Sequence, residues 1–136
     1  MTRLLVTKEI ENELDALDGT QPDLVDAAEL LLESLYENLD LLGRLHAPST
    51  YPLHTPVFEV KLFEEAQELK YNLYLLKFQN LDDYLATHRI FLGFNAQRDI
   101  YYALAITDRS HAYDTSHDVF RDLCNRYDKY RIPKIA

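Results

Sequence analysis

The chain has 136 residues, 47% of them hydrophobic, one Cys and a formal net charge of −9. That length holds one respectable core, and three Gly, five Pro and the lack of any repeat or low-complexity run exclude a visible linker, so residues 1–136 are expected to form a single domain. A lone Cys excludes an internal disulfide, no run nears the roughly 18 apolar residues of a membrane span, and the acidic balance disfavours general polyanion binding, which depends on Lys and Arg.

Arg3-Leu4-Leu5-Val6-Thr7 predicts a short strand, with Thr7 as cap of the helix that follows. The residues up to Glu9 lack the apolar core and cleavage pattern of a signal peptide, so a cytoplasmic protein is expected. Ile10 stands three residues after Thr7 and has no carboxylate to reach back, which leaves the capping box incomplete; Glu9 and Glu11 still meet the positive end of the helix dipole. Ile10, Leu14 and Leu17 recur at helical spacing until Asp18-Gly19 stops the run. A second helix then has Thr20 as its cap, Pro22 near its first turn and Asp23 to face the orphan amides. Leu24, Ala28, Leu31, Leu35, Leu39 and Leu42 form its stripe, widened by Val25, Leu32 and Tyr36. So wide a stripe over residues 22–45 calls for two neighbours. One is the sheet, and the other is either the first helix or another protein, including a second copy in a homodimer.

Leu45 to Pro56, with Pro48, Pro52 and Pro56, reads as the longest loop. Val57 to Phe63 alternates as a strand, with Glu59 and Lys61 opposite in face to Phe58, Val60 and Leu62, and Tyr71 to Phe78 is a second strand. Residues 64–70 (EEAQELK) are too polar for either and form a connector or a brief helical turn. His88 to Phe94 and Asp99 to Thr107 are apolar, aromatic runs joined by Asn95-Ala96-Gln97-Arg98, a hairpin covered on at least one face and central in its sheet. Ser116 to Tyr130 is a final helix, carrying Val119, Phe120, Leu123, Cys124 and Tyr127 on one side and ending before Pro133; Cys124 reads as a small buried side chain. The fold expected is α+β: an N-terminal strand and helical hairpin, a four-stranded antiparallel meander, and a C-terminal helix.

Charge is unevenly placed. Residues 1–50 hold eleven acidic and three basic side chains, whereas from His88 onward eight basic stand against six acidic. The acidic half reads most simply as a solvated helix face. Acid, base and cation collect at the polar ends of the hairpin, His88-Arg89 on one strand and Asp108-Arg109-Ser110-His111-Ala112-Tyr113 after the other. The five His show no spacing that specifies a metal, so neither metal nor cofactor is expected.

Three stretches, RLLVTKEIENEL, HRIFLGF and IYYALAITDRSHAY, resemble the RelE/ParE superfamily of bacterial toxins, whose pattern opens with a strand and helical hairpin and continues through an antiparallel sheet. The resemblance covers nearly the whole chain. It implies a toxin held by a small antitoxin, acting on messenger RNA at the ribosome by metal-free attack of a ribose 2′-hydroxyl, or on DNA gyrase. On the matching positions Arg89 would hold the phosphate, His111 would carry the proton, Arg109 would assist with charge and Tyr113 would orient or stack a base. Glu59 is an alternative base, and Tyr130 and Arg131 would add to the same binding face. Simpler readings stand beside these: Arg89 paired with an acidic neighbour across the sheet, His111 and Tyr113 as ordinary loop residues, Arg109 as a turn ion pair. The strong acidity departs from the basic character expected of a ribosome-directed nuclease. A noncatalytic acidic interaction module that keeps the fold is therefore the alternative.

Overall fold

The computed structural model describes residues 3–37, 53–54, 58–78, 88–108, 110 and 114–135. In chain order the elements are β1 (Arg3–Val6), α1 (Lys8–Asp18), α2 (Pro22–Glu37), β2 (Leu53–His54), β3 (Phe58–Leu62), α3 (Glu64–Glu68), β4 (Leu73–Phe78), β5 (His88–Asn95), β6 (Ile100–Asp108) and α4 (Asp118–Lys129). The α+β class and the expected order of strand, two helices, four strands and final helix are present, with one strand more: β2 lies inside Leu45 to Pro56, read from its prolines as a loop. Beyond Glu37, the expected helix over 22–45 lies outside the described residues, as does most of the proline loop.

From β3 to β6, each strand pairs antiparallel with the next. The whole sheet is nevertheless mixed and is not a simple meander: its order is β1-β6-β5-β4-β3-β2, with β1 parallel to β6 at one edge and β2 antiparallel to β3 at the other. Thr7 explains how β1 turns into α1 at that edge. Its hydroxyl accepts from the Ile10 amide at 3.3 Å, capping the helix, and donates to the Ala103 carbonyl of β6 at 2.7 Å.

Both sheet faces are packed, which is why the hairpin strands lack clean alternation. On one face α1 and α2 bring Ile10, Leu14, Leu24, Ala28, Leu31 and Leu35 onto Leu76, Ile90, Leu92 and Tyr101. On the other, α4 brings Phe120, Leu123, Cys124 and Tyr127 onto Leu73, Leu75, Phe91 and Leu104. Each fully buried Leu or Phe contributes about 1.5–3 kcal/mol through its apolar surface. A register shift between Phe91 and Leu92, which pair with Ala105 and Ala103, makes Leu104 the extra residue of a bulge. Leu104 and Ala105 consequently both lie in the α4-side cluster.

Local signals were resolved differently from the expectation at three points. The Thr20 hydroxyl donates back to the Leu17 carbonyl at the end of α1 instead of capping α2. Gly19 ends α1 at φ −67°, an ordinary helical value, so its left-handed freedom is unused. In the hairpin turn Asn95 stays in β5 and its side chain accepts from the Arg98 amide, while Asp99 takes the positive φ of 59°. The segment EEAQE forms α3, the brief helical alternative for that stretch.

Candidate functional site at the open end of the hairpin

The strand register assembles a polar row. Glu59 pairs with Lys77, Lys77 with Arg89, and Arg89 with Thr107, so the backbone register of four successive strands sets these four polar positions in one row. Directly paired residues share a face, and Arg89 alternates with Ile90 to lie on the side of Phe91, the α4 side. With strands about 4.8 Å apart, the Glu59 and Arg89 backbones are about 10 Å from each other. The next row toward the turn, Leu75 and Phe91, is already apolar and covered by the α4 cluster. The polar row is therefore the border of the core on this face.

Arg89 is half-buried, and one guanidinium nitrogen, Nη1, donates to the His88 carbonyl at 3.0 Å. Its directly opposed residues are Lys77 and Thr107. The Glu59 and Lys77 side chains lie outside the described residues; their place in the row comes from the backbone.

His88 is buried and alternates to the other face, beside Ile90 under the α1–α2 layer. It and Arg89 cannot act on one phosphate from the same side. Burial lowers the His88 pKa, against the pull of Asp108 upward and with the push of Arg89 downward. Asp108 is paired with His88 in register and accepts the Ser110 amide on Oδ1 at 2.8 Å, anchoring the start of the basic continuation. Arg109, His111 and Tyr113 lie outside the described residues.

Tyr130 and Arg131 sit elsewhere. The Tyr130 hydroxyl donates to Glu9 Oε1 at 2.6 Å and its ring packs on Tyr102 at 5.4 Å. Tyr102 is opposite Gly93, four residues along β5 from Arg89, or about 13 Å. Tyr130 is thus engaged in holding α4 to α1. Arg131, exposed at φ 57°, follows it at the turn end of the sheet, away from the polar row.

Lys77 is the residue that sequence reading passed over. Within YNLYLLKF nothing local marks it, and only the register, pairing it with both Glu59 and Arg89, sets it in the row. No family model, curated protein or solved structure matches this chain. Among the described residues no helix is long and apolar enough to cross a membrane, and no group of three or more His, Cys, Asp and Glu is placed to hold a metal ion.

Proposed function

We propose that this chain is a RelE/ParE-like toxin component of an antitoxin-partnered module, acting as a metal-free endoribonuclease. The observation that carries this reading is the row Glu59, Lys77, Arg89 and Thr107, which leads within two residues into Arg109. In that reaction the ribose 2′-oxygen bonds to phosphorus while the bond from phosphorus to the 5′-oxygen breaks, leaving a 2′,3′-cyclic phosphate. Glu59 takes the 2′-hydroxyl proton, Arg89 and Lys77 hold the phosphorane charge, and His111 gives a proton to the departing 5′-oxygen. Arg109 adds charge and Tyr113 stacks a base.

Inducible expression in a bacterial host tests this directly. The intact chain arrests growth, and Arg89→Ala, Lys77→Ala and His111→Ala each relieve the arrest. No arrest by the intact chain overturns the toxin reading; arrest undiminished in all three variants overturns the nuclease site and leaves a gyrase-directed action.

A second reading is favoured by one observation. The exposed surface of α1 and α2 carries Glu11, Asp15, Asp18, Asp23, Asp26, Glu29, Glu33 and Glu37, with Leu30 and Tyr36 exposed on α2. A noncatalytic acidic module would use that layer to bind a protein, either a cationic partner or a second copy through the helix begun at Pro22. Leu30→Lys with Tyr36→Lys would then abolish association in sedimentation while Arg89→Ala left it intact.

A further inference from the structure

β1 covers β6 only as far as Ala103. Beyond it, among the described residues, no strand pairs with β6 on that side, although β6 runs on to Asp108. A strand edge of this kind offers main-chain donors and acceptors to any other strand. Here three of them are engaged by groups from the helical layers and from Thr7. The Ala103 carbonyl accepts from Thr7, the Leu104 carbonyl accepts from Arg126 Nη1 at 2.8 Å, and the Ile106 amide donates to Glu13 Oε1 at 3.2 Å. Glu13 comes from α1 on one face and Arg126 from α4 on the other, and they meet around the edge in a forked pair of 2.9 Å and 3.0 Å. Asp122 holds the second guanidinium nitrogen at 2.7 Å.

The positions are specific to the edge. The bulge at Leu104 shifts the pattern of outward main-chain groups, so the carbonyl at 104 and the amide at 106 are presented together. A carboxylate can satisfy only the amide, and a guanidinium only the carbonyl. We infer that Glu13 and Arg126 form an edge guard that keeps β6 of this chain from adding, strand to strand, to β6 of a second copy. The guarded stretch, Leu104-Ala105-Ile106, is apolar and rich in strand-forming residues. An antiparallel copy of it about a two-fold axis would satisfy the same groups that the guard now satisfies.

Glu13→Ala with Arg126→Ala tests the guard, read by amide exchange at Ile106 and by sedimentation across a concentration series. At low concentration the Ile106 amide should exchange about tenfold faster than in the unaltered chain, as expected for one lost hydrogen bond. At high concentration the variant should self-associate beyond the unaltered chain, and protection at Ile106 should return. Glu13→Gln retains an acceptor for the amide and should keep the edge closed. The charge swap Glu13→Arg with Arg126→Glu restores an ion pair but sets donor against donor and acceptor against acceptor, so it should associate like the double alanine variant. Leu24→Ala, a core truncation under α2, controls for general loss of stability and should not associate. Association by Leu24→Ala to the same extent, a double variant no more associated than the unaltered chain, or rescue by the charge swap would each overturn the guard.

Discussion

The Arg126 guanidinium and the Glu13 carboxylate join the two helical layers around the edge of the sheet, through contacts of 2.9 Å and 3.0 Å. The pair is partly covered, with side-chain exposures of 15% and 31%. It therefore falls between an exposed ion pair, which contributes about 0–1 kcal/mol, and a buried one, whose disruption costs about 3–5 kcal/mol. Arg126→Ala leaves Glu13, Asp122 and the Leu104 carbonyl without their shared donor, and a loss of about 3 kcal/mol is expected. Glu13→Ala leaves Arg126 its other acceptors and should cost about 2 kcal/mol. Arg126→Lys should recover little, because an ammonium cannot fork between two carboxylate oxygens. Urea unfolding of the three variants checks the order, and a larger loss for Glu13→Ala than for Arg126→Ala would contradict it.

Much of this frame was legible in the sequence, for a physical reason. Periodicity records burial, and the stripe of Leu24, Ala28, Leu31 and Leu35 or the unbroken run from Ile100 to Ile106 could bury themselves in few other ways. What the sequence concealed was pairing at a distance. The parallel contact of β1 with β6 joins residues 97 positions apart, Arg3 with Ile100, and no local pattern encodes it. The bulge at Leu104 is invisible in IYYALAITD, because every residue around it is apolar. Site residues followed the same division: Arg89 stood out as a cation at the mouth of an apolar strand, while Lys77 acquired meaning only through its register with Glu59 and Arg89. The hydrogen bond from the Tyr130 hydroxyl to Glu9 is another contact between distant parts of the chain that no local pattern shows.

Tyr127 fixes the chain after α4. Its hydroxyl accepts from the Asn72 amide at 3.1 Å and donates to the Pro133 carbonyl at 2.6 Å, while its ring meets Tyr71 edge-on at 5.1 Å. The Ile135 amide then donates to the Lys70 carbonyl at 2.9 Å, extending the same return. Tyr127→Phe retains the ring and removes both hydroxyl bonds from a fully buried position. The expected loss is about 1–3 kcal/mol, with faster amide exchange at Ile135 than at Ile90 in the centre of the sheet. Unchanged exchange at Ile135 would show that the tail is held by other contacts.

Two titrations, one of the buried His88 and one of the partly buried Glu9, predict how stability depends on acid. Burial lowers the folded-state pKa of His88 from its ordinary 6.5. The unfolded chain then takes up this proton first, so the stabilisation is complete above about pH 6.5 and is lost as pH falls toward the folded value. For Glu9, burial pushes upward, but the hydrogen bonds from Tyr130 and Lys129 outweigh it and hold the carboxyl below 4.5. Its stabilisation is present above that pH and lost below it. His88→Leu should flatten the upper part of the acid decline and Glu9→Gln the lower part, as read from unfolding free energies between pH 7 and pH 3. A decline of the same shape in both variants and the unaltered chain would count against both assignments.

Cys124 gives a test of how firmly α4 is seated. The side chain is 9% exposed in the α4 cluster, and burial foremost pushes its thiol up to about 11, against a hydrogen bond with Tyr71 that pulls it down. Thiol reagents attack the thiolate, whose fraction at pH 8 falls about a hundredfold when the pKa moves from 9 to 11. Folded protein should therefore react with an aromatic disulfide at least about a hundredfold more slowly than the urea-unfolded chain. Because Arg126 and Lys129 tie α4 to Glu13 and Glu9 of α1, Arg126→Ala should accelerate the folded-state reaction, whereas Arg121→Ala, which removes a solvent-exposed pair with Asp118, should not. Equal rates for the two variants would mean that α4 is held by Phe120, Leu123 and Tyr127 alone, and that the ion pairs add nothing to its seating.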